Sequence, residues 1–345
     1  MARINEVEAA LRDRPRTFLV SGAAGFIGSH LVERLLVLGQ RVVALDSFIT
    51  GKRENLEEVL AAAPTDARQR FRLLEADVRD AAACAEACRG ADVVLHQAAL
   101  GSVPRSLADP LATHLANVDG TLQLLIAARD AKVARVVYAS SSSVYGDHPD
   151  LPKVEERIGN ALSPYALTKR IDEMYAQIFA GCYGVEGIGL RYFNVFGRRQ
   201  DPQGAYAAVL PRWTAALLEG RPVAIYGDGE TSRDFCFVGN VVQANLLAAT
   251  VPERSAAVNQ VYNVACGERT TLRELFAMLR AEVARFDSRA AVREPDFQPF
   301  RPGDIRHSLA DVSKARRLLG YEVVQSVREG LVETVPWYVE EARKR

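Results

Sequence analysis

Short apolar runs alternate with amphipathic stretches along the first 197 residues of the chain. Six of these runs have the length of a β-strand, at 17–21, 40–46, 71–77, 92–99, 135–140 and 188–193. Helical periodicity predicts helices between them, at about 53–63, 80–89, 110–132 and 164–183. Continuous apolar runs joined by helices are typical of parallel strands that are buried on both faces. The pattern therefore predicts an α/β fold with a doubly wound parallel sheet.

The pattern changes beyond about residue 197. Segments become shorter and their loops carry Gly and Pro, with strands expected at 223–226 and 260–264 and helices near 239–250 and 271–286. We interpret residues 1–197 as a first domain that begins with an accessory helix. Residues 198–345 are predicted to form mainly a smaller, interleaved α/β lobe, with some segments returning to the first domain. A binding cleft would lie between them, at the carboxyl ends of the strands.

The composition argues against several classes of protein. Lys and Arg together number 43, as do Asp and Glu, so no net field attracts nucleic acid or an anionic membrane. The sequence has no apolar run of transmembrane length, and its first sixteen residues are too charged for a signal peptide. Five scattered cysteines favour reduced thiols, and Cys84 and Cys88 lack companions at metal-site spacing. We expect a cytoplasmic protein that binds no metal, nucleic acid or membrane.

Three glycines follow the first strand at spacings of three residues. Gly22, Gly25 and Gly28 stand between that strand and a stretch with helical periodicity. A strand that turns sharply into a helix needs backbone without Cβ, and so does a helix N-terminus that a pyrophosphate approaches. The spacing is one residue looser in its first half than the dinucleotide fingerprint G-x-G-x-x-G. A tight turn without any ligand would explain the glycines equally well.

An acidic residue at the end of the second strand decides between these two interpretations. Asp46 ends that strand, 18 residues beyond Gly28. A carboxylate at this place accepts hydrogen bonds from the adenosine ribose hydroxyls and repels a 2′-phosphate. We therefore predict that the chain binds NAD rather than NADP.

A phenol and an ammonium group lie four residues apart on a predicted helix. Tyr165 and Lys169 would share one helix face, and a nearby cation favours the phenolate form of a tyrosine. Such pairs also occur by chance on amphipathic helices. A run of serines at 140–143 lies at the end of the fifth strand. It is either an ordinary turn or the source of a hydroxyl group that relays a proton. The glycines, Asp46, the serine run and the pair Tyr165 and Lys169 follow one another in this order along the chain, and the combination favours a catalytic function.

Together these motifs resemble those of the extended short-chain dehydrogenase/reductase family over nearly the whole chain. Within that family the chain is similar to the nucleotide-sugar 4-epimerases. The motifs that carry the resemblance are Gly22-x-x-Gly25-x-x-Gly28, Asp46, Asp77-Val78, His96-Gln97-Ala98-Ala99, Ser140 to Gly146, Ser163-Pro164-Tyr165-x-x-x-Lys169, Leu190-Arg191-Tyr192-Phe193-Asn194-Val195-Phe196-Gly197, Tyr226-Gly227-Asp228-Gly229 and Arg301-Pro302-Gly303-Asp304. The resemblance implies a Rossmann-type first domain that holds NAD and a second lobe that binds a UDP-sugar.

The resemblance also implies roles for individual residues. The catalytic residues would be Ser141, Tyr165 and Lys169. NAD would be bound by Gly22, Gly25, Phe26, Ile27, Gly28, Asp46, Asp77, Val78, Gln97, Ala98, Ala99, Tyr165, Lys169 and Tyr192. The UDP-sugar would be bound by Ser102, Ser141, Ser142, Tyr165, Asn194, Tyr226, Arg233, Arg301, Asp304 and Ser308. Among these, the two arginines would contact the phosphates, and Asp304 the uridine ribose.

Three features bear on the reaction and the sugar. Ser142 and Ser143 stand where related dehydratases and decarboxylases carry an acidic residue, which favours epimerisation. The loop at 101–106 looks like that of epimerases that prefer N-acetylated hexosamines, and the small Ser308 would leave room for a 2-acetamido group. The chain most resembles the bacterial UDP-N-acetylglucosamine 4-epimerases of surface polysaccharide synthesis, some of which prefer the 6-carboxylated sugar.

We therefore predict an isomerase that interconverts UDP-N-acetylglucosamine and UDP-N-acetylgalactosamine, or their uronic acids, through a 4-keto intermediate. An alternative substrate is UDP-glucose or UDP-glucuronate. A catalytically silent sensor of NAD or nucleotide sugars is the alternative of another class, since fold does not fix function. The resemblance also implies a homodimer in which the two long helices of each copy form a four-helix interface.

Overall fold

In the computed structural model, residues 3–203, 208–300 and 305–344 of the protein are described. The strands are β1 Thr17–Ser21, β2 Arg41–Asp46, β3 Phe71–Glu75, β4 Val93–His96, β5 Arg135–Ser141, β6 Glu186–Tyr192, β7 Val195–Phe196, β8 Val223–Tyr226, β9 Ser232–Arg233, β10 Cys236–Phe237, β11 Gln260–Val264, β12 Thr270–Thr271 and β13 Pro295–Gln298. The helices are α1 Arg3–Asp13, α2 Phe26–Val37, α3 Arg53–Ala62, α4 Ala81–Cys88, α5 Val103–Ala108, α6 Pro110–His114, α7 Gly120–Asp130, α8 Pro164–Tyr183, α9 Val209–Leu218, α10 Val238–Thr250, α11 Leu272–Ala284, α12 Ser313–Leu319 and α13 Val327–Arg343. None of the described helices is both long and apolar enough to cross a lipid bilayer.

Seven strands form one sheet in which every neighbouring pair is parallel. Their order is β11-β6-β5-β4-β1-β2-β3, which confirms the predicted doubly wound α/β fold. Ser21 at the end of β1 pairs with Leu45 on β2 and with His96 on β4, so the carboxyl ends of these strands are level. The strand order reverses between β1 and β4. Open α/β sheets bind their ligands in the crevice outside such a switch point.

The helix predicted over 110–132 is interrupted by a π-helical segment, Leu115–Asp119, between α6 and α7. Asn117 lies in this wider turn and is fully buried. Its side chain accepts a hydrogen bond from the Leu100 N–H at 2.7 Å and donates to the Thr168 hydroxyl at 3.0 Å. Wider helical turns of this kind occur frequently at functional sites. Here the turn lets one amide side chain join the loop after β4 to α8.

A buried ion pair ties α8 to the sheet. The Glu173 carboxylate accepts two hydrogen bonds from the Arg191 guanidinium, both 2.8 Å long, and a third from the Ser140 hydroxyl at 2.7 Å. Arg170 adds a fourth at 3.0 Å. Burial raises the pKa of Glu173, but the bonds from Arg191 and its other partners outweigh this effect and lower the pKa. The pair fixes β5, β6 and α8 to one another below the carboxyl ends of the strands.

The second half of the chain forms its own core and also completes the first. β8 and β13 pair in parallel and pack with α9, α11 and α13 around the buried side chains of Trp213, Leu275, Leu279 and Val335. In contrast, β11 hydrogen-bonds to β6 at the edge of the main sheet, and α10 packs against α2. The N-terminal helix α1 covers α10 through the buried Val7 and Leu11.

Candidate active site

The glycine turn after β1 forms a cradle that has room for backbone only. Gly22 adopts a φ of 68°, and its N–H donates to the Leu45 carbonyl at 2.8 Å. A Cβ on Gly22 would lie 2.7 Å from the Ala98 nitrogen, and one on Gly28 would lie 2.0 Å from the Gly22 carbonyl oxygen. α2 begins directly after Gly25, and no side chain of the described residues caps it. Its first N–H groups are therefore available to an anion.

Asp46 lies at the end of β2 with its carboxylate fixed by two backbone groups. One carboxylate oxygen accepts a hydrogen bond from the Ala24 N–H and the other from the Phe48 N–H, both at 2.8 Å. Burial raises the pKa of Asp46, and these two bonds oppose the rise. The bond to Ala24 fixes the carboxylate against the glycine turn.

A cavity of about 410 Å³ opens at the switch point of the sheet. All the residues predicted to bind the dinucleotide line it, namely Gly22, Gly25, Phe26, Ile27, Gly28, Asp46, Asp77, Val78, Gln97, Ala98, Ala99, Tyr165, Lys169 and Tyr192. We call this space the first cavity. Asp46 ends β2 and Asp77 follows β3 on one side of the switch point, whereas Ser141 ends β5 on the other. The first cavity therefore joins the predicted adenine end of the site to the predicted catalytic residues.

The two serines at the end of β5 have different partners. The Ser140 hydroxyl is engaged, because it donates to Glu173. The Ser141 oxygen accepts hydrogen bonds from the N–H of Ser143 at 3.1 Å and from its hydroxyl at 2.9 Å. Ser140 and Ser141 both line the first cavity, but only Ser141 is outside the ion-pair network. This geometry favours Ser141 as the hydroxyl that contacts a substrate.

Tyr165 and Lys169 reach the first cavity from the start of α8. The helix is capped by the Ser163 hydroxyl, which accepts a hydrogen bond from the Ala166 N–H at 3.1 Å, and Pro164 occupies its first position. Tyr165 therefore lies in the first turn, and Lys169 lies one turn further along the same face. The Lys169 side chain is 3% exposed. A phenol and a buried ammonium thus line one wall of the cavity.

A second cavity of about 270 Å³ adjoins the first. The two share Asn194, Val195 and Gln200 in their walls. Apolar and aromatic side chains form most of the second cavity, and Arg212 and Arg233 add positive charge. The larger apolar and aromatic members include Phe196, Leu210, Trp213, Tyr226, Phe235 and Leu272. Such a lining suits a flat ring joined to an anionic group.

Asp234 holds the segment that carries Arg233. Its carboxylate is fully buried and accepts hydrogen bonds from the N–H groups of Cys266 at 2.9 Å, Gly267 at 3.0 Å and Ala310 at 3.2 Å. Burial raises the pKa of Asp234 to about 7, against the opposing effect of these bonds. The sequence analysis did not identify this residue, because its three partners are distant in the chain.

Three predicted substrate residues line neither cavity of the described chain. Ser102 caps α5 by accepting a hydrogen bond from the Arg105 N–H, and Ser142 begins the short turn after Ser141. The N–H of Ser308 donates to the Ser232 carbonyl at 3.1 Å, which places Ser308 near Arg233. Two further predicted residues, Arg301 and Asp304, lie outside the described residues. The binding roles of all five stay predictions.

Besides Asp234, the sequence analysis missed two further residues of the site. Gln200 lines both cavities but belongs to a loop without periodicity or a ligand motif. Asp172 accepts a hydrogen bond from the Lys169 ammonium at 3.2 Å. The spacing of three residues on a helix is a signal that could have identified this pair.

Comparisons with known proteins agree with this geometry. The sequence model of the NAD dependent epimerase/dehydratase family matches residues 18–265. The chain is 39% identical over 322 residues to a UDP-glucose 4-epimerase of Mycolicibacterium smegmatis. The alignment covers 93% of this chain and 97% of that protein. The solved structure of a UDP-N-acetylglucosamine 4-epimerase from Methanobrevibacter ruminantium, in complex with UDP-N-acetylmuramic acid, superposes with a TM-score of 0.86 at 36% identity and covers 95% and 99% of the two chains. A UDP-glucuronic acid 4-epimerase from Bacillus cereus, in complex with UDP-glucuronic acid and NAD, gives a TM-score of 0.83 at 29% identity and covers 94% and 99%.

The cofactor is NAD, and the residues present fit it. The turn excludes a Cβ at Gly22 and Gly28, the uncapped start of α2 suits a pyrophosphate, and Asp46 suits a ribose with free hydroxyls. The matched region of the family includes all of these residues and the pair Tyr165 and Lys169. The chain therefore belongs to the NAD dependent epimerase/dehydratase family, within the extended short-chain dehydrogenase/reductases.

Proposed function

We propose that this protein is a UDP-sugar 4-epimerase that interconverts UDP-N-acetylglucosamine and UDP-N-acetylgalactosamine, or their 6-carboxylated forms, through a 4-keto intermediate. One observation carries the proposal: Ser141, Tyr165 and Lys169 line the cavity that fits NAD, and this cavity shares three wall residues with a second cavity whose lining includes arginine and aromatic side chains. The sugar would lie at the junction, next to Asn194 and Gln200.

The nucleotide half of the substrate would occupy the second cavity. The Tyr226 ring in the wall of this cavity would stack on a uracil ring, and the Arg233 guanidinium has the planar fork that suits phosphate oxygens. Asp234 supports this arrangement, since it ties the Arg233 segment to three other parts of the lobe. Arg301 and Asp304 are proposed to contact a phosphate and the uridine ribose.

The chemistry at the sugar would be a proton transfer coupled to oxidation. NAD, when bound, supplies the acceptor and the donor for the hydrogen on C4. The Tyr165 oxygen, stabilised as a phenolate by the Lys169 ammonium, would take the proton of the 4-hydroxyl. The Ser141 hydroxyl would bridge the sugar oxygen and the phenol. After the 4-keto sugar has turned its other face to the site, the same groups would return the proton.

The lining of the first cavity favours epimerisation over elimination of water. The carboxylates in its described lining are Asp46 and Asp77, which lie at the carboxyl ends of β2 and β3, at the predicted adenine end. Beside Ser141 stands the hydroxyl of Ser143, at 2.9 Å. An elimination from C5 and C6 needs an acid–base group at the sugar. Without one, a 4-keto sugar would be reduced back to either epimer.

Two places where small side chains stand support the proposed preference for N-acetylated sugars. Ser308 lies close to Arg233 through the bond of its N–H to Ser232, so it could face the sugar end of a bound nucleotide. The segment predicted as a loop at 101–106 is helical from Val103, where α5 begins, and its first residue, Gly101, lines the first cavity. Both would leave space for a 2-acetamido group.

A direct assay tests the proposal. The purified protein would be incubated separately with UDP-glucose, UDP-N-acetylglucosamine, UDP-N-acetylglucosaminuronate and UDP-glucuronate, and the epimers resolved by chromatography. We expect the largest kcat/KM for one of the two N-acetylated sugars. A larger value for UDP-glucose or UDP-glucuronate would replace the proposed substrate with that alternative. Tightly bound NAD without turnover of any of the four would favour the sensor.

We also propose that the protein is a homodimer through α6 and α8. These packed helices expose large apolar side chains: Leu111 is 66% exposed, Leu167 51%, Met174 52% and Ile178 57%. The last three recur at helical spacing on one face of α8. Covering such a stripe with a second copy would remove it from water.

Light scattering tests this arrangement. The wild-type protein should have the mass of two chains at micromolar concentration, and the variant Met174→Glu/Ile178→Glu should have the mass of one. Val292→Glu is the matched control, because Val292 is an apolar residue that is 81% exposed and lies in the second lobe, outside α6 and α8. A monomeric wild-type protein, or a dimer that tolerates both charges, would contradict the proposed interface.

A further inference from the structure

Asp172 is a buried acid that no step of the proposed reaction uses. It follows Lys169 by three residues on α8, and its Oδ2 accepts a hydrogen bond from the Lys169 Nζ at 3.2 Å. The two side chains are 1% and 3% exposed, respectively. The other carboxylate oxygen is also buried. A side-chain hydrogen bond with Thr121, on α7, also acts to lower the pKa of Asp172. A carboxylate in such surroundings depends on its single opposite charge.

His96, which is close enough to feel the charge of Lys169, is uncharged. Burial and the charge of Lys169 lower the pKa of His96, on β4, to about 3. Its two ring nitrogens lie 2.6 Å from the Ser21 hydroxyl and 3.0 Å from the hydroxyl of Thr121 on α7. β1, β4 and α7 therefore present only neutral polar groups to the pair.

The remaining titratable neighbours are either neutral or already paired. Glu173, next to Asp172 on α8, is bound by Arg191 and Arg170. Burial raises the pKa of Tyr138, on β5, well above 10, and the two acids raise it further, so this phenol is neutral. Within the described part of the chain, Asp172 is therefore the one anion in direct contact with the Lys169 ammonium.

An anion in this position changes what Lys169 can do. A buried ammonium favours ionisation of a nearby phenol, and a carboxylate in contact with the ammonium offsets part of that effect. Burial raises the pKa of Asp172, whereas the Lys169 ammonium in contact with it opposes the rise and favours the carboxylate form. Lys169 and Tyr165 share one helix face and one cavity wall. The offset therefore acts on the proposed base of the reaction.

We propose that Asp172 is a positioning residue that acts through Lys169. Its carboxylate holds the ammonium at the wall of the first cavity and offsets part of its charge. It thereby sets the pH at which Tyr165 loses its proton and becomes a base. The kinetic part of this inference rests on the proposed function, whereas the ionisation of Tyr165 does not.

The first test measures ionisation without turnover. The NAD-loaded protein is titrated while the near-ultraviolet absorbance of phenolate is recorded, and the same titration of Tyr165→Phe is subtracted to isolate one phenol. In Asp172→Asn, which keeps the shape but loses the charge, Tyr165 should ionise about one pH unit lower than in wild type. Asp172→Glu, which restores the charge, should return the transition towards the wild-type pH.

The second test follows the reaction. The acidic limb of the pH profile of kcat should move down by the same amount, about one pH unit, in Asp172→Asn. The control is Asp130→Asn, an exposed aspartate bound to Arg129 at the end of α7, which should leave both curves in place. If Asp172→Asn fails to fold, Asp172→Ser removes the same charge and should give the same shift.

The two tests separate the possible failures. A Tyr165 transition in Asp172→Asn at the wild-type pH would overturn the inference and leave Asp172 a structural role only. A shifted transition in a protein that turns over no UDP-sugar would support the inference and contradict the proposed function instead.

Discussion

Replacing Tyr165 with phenylalanine should lower kcat for the epimerisation by a factor of about 10²–10⁴, the usual contribution of a general base. The variant loses a single hydroxyl, and its ring keeps its place in the first turn of α8, behind the Ser163 cap. NAD should therefore stay bound and the fold should be unchanged. The measurements are kcat with UDP-N-acetylglucosamine and the NAD released on denaturing the protein.

Tyr183→Phe provides the control for this experiment. Tyr183 ends the same helix, is 53% exposed and lies away from both cavities. Its variant should retain wild-type kcat and wild-type NAD content. Near-wild-type kcat in Tyr165→Phe would remove Tyr165 from the mechanism and leave the serines and Lys169 to be examined as the proton acceptor.

Glu173→Gln should cost about 3–5 kcal/mol of the free energy of unfolding, because it leaves the charge of Arg191 buried without its partner. Arg191 is 1% exposed, and the two 2.8 Å bonds to Glu173 neutralise its charge. Glutamine has the same shape but offers one acceptor oxygen and no charge. Urea unfolding followed by circular dichroism measures the difference.

Glu156→Gln is the matched control, since Glu156 is 68% exposed in its ion pair with Lys314 and should contribute no more than about 1 kcal/mol. The bond to Lys314 lowers the pKa of Glu156 as well, so the stability lost in each variant should decrease at acidic pH, by more for the buried Glu173. The pKa of Glu173 is below its ordinary 4.5, so its contribution is complete above that pH and decreases as the pH falls further. Equal losses of stability in both variants at neutral pH would show that the buried pair does not stabilise the fold.

The strands of the sheet could be predicted because each is recognisable from its own residues. A strand buried on both faces is a continuous apolar run, and the runs that became β1, β2, β4 and β5 are visible without any knowledge of their neighbours. The partner of a strand is not visible in this way. The run at 260–264 was recognised as a strand, but its place beside β6 depends on contacts between distant parts of the chain.

The residues of the candidate site also fall into those that local sequence predicts and those that depend on distant contacts. The glycine turn, Asp46 and the pair Tyr165 and Lys169 could be predicted because a few consecutive residues fix each of them. Gln200 could not, because its role depends on where the loop after β7 comes to lie between the two cavities. The π-helical segment at Leu115–Asp119 was also missed, since tertiary hydrogen bonds of Asn117 accompany it and helical periodicity does not reveal it.

The position of β11 has a consequence for cutting the chain. A break in the exposed loop at 252–256, between α10 and β11, would separate the main sheet from its own edge strand. The first fragment would present the bare backbone of β6, and the second would carry the strand that fits it in register from Ile188 to Tyr192. Each fragment would thus be a specific partner for the other. The fold offers a site for a split protein whose enzymatic activity reports that its two halves have met.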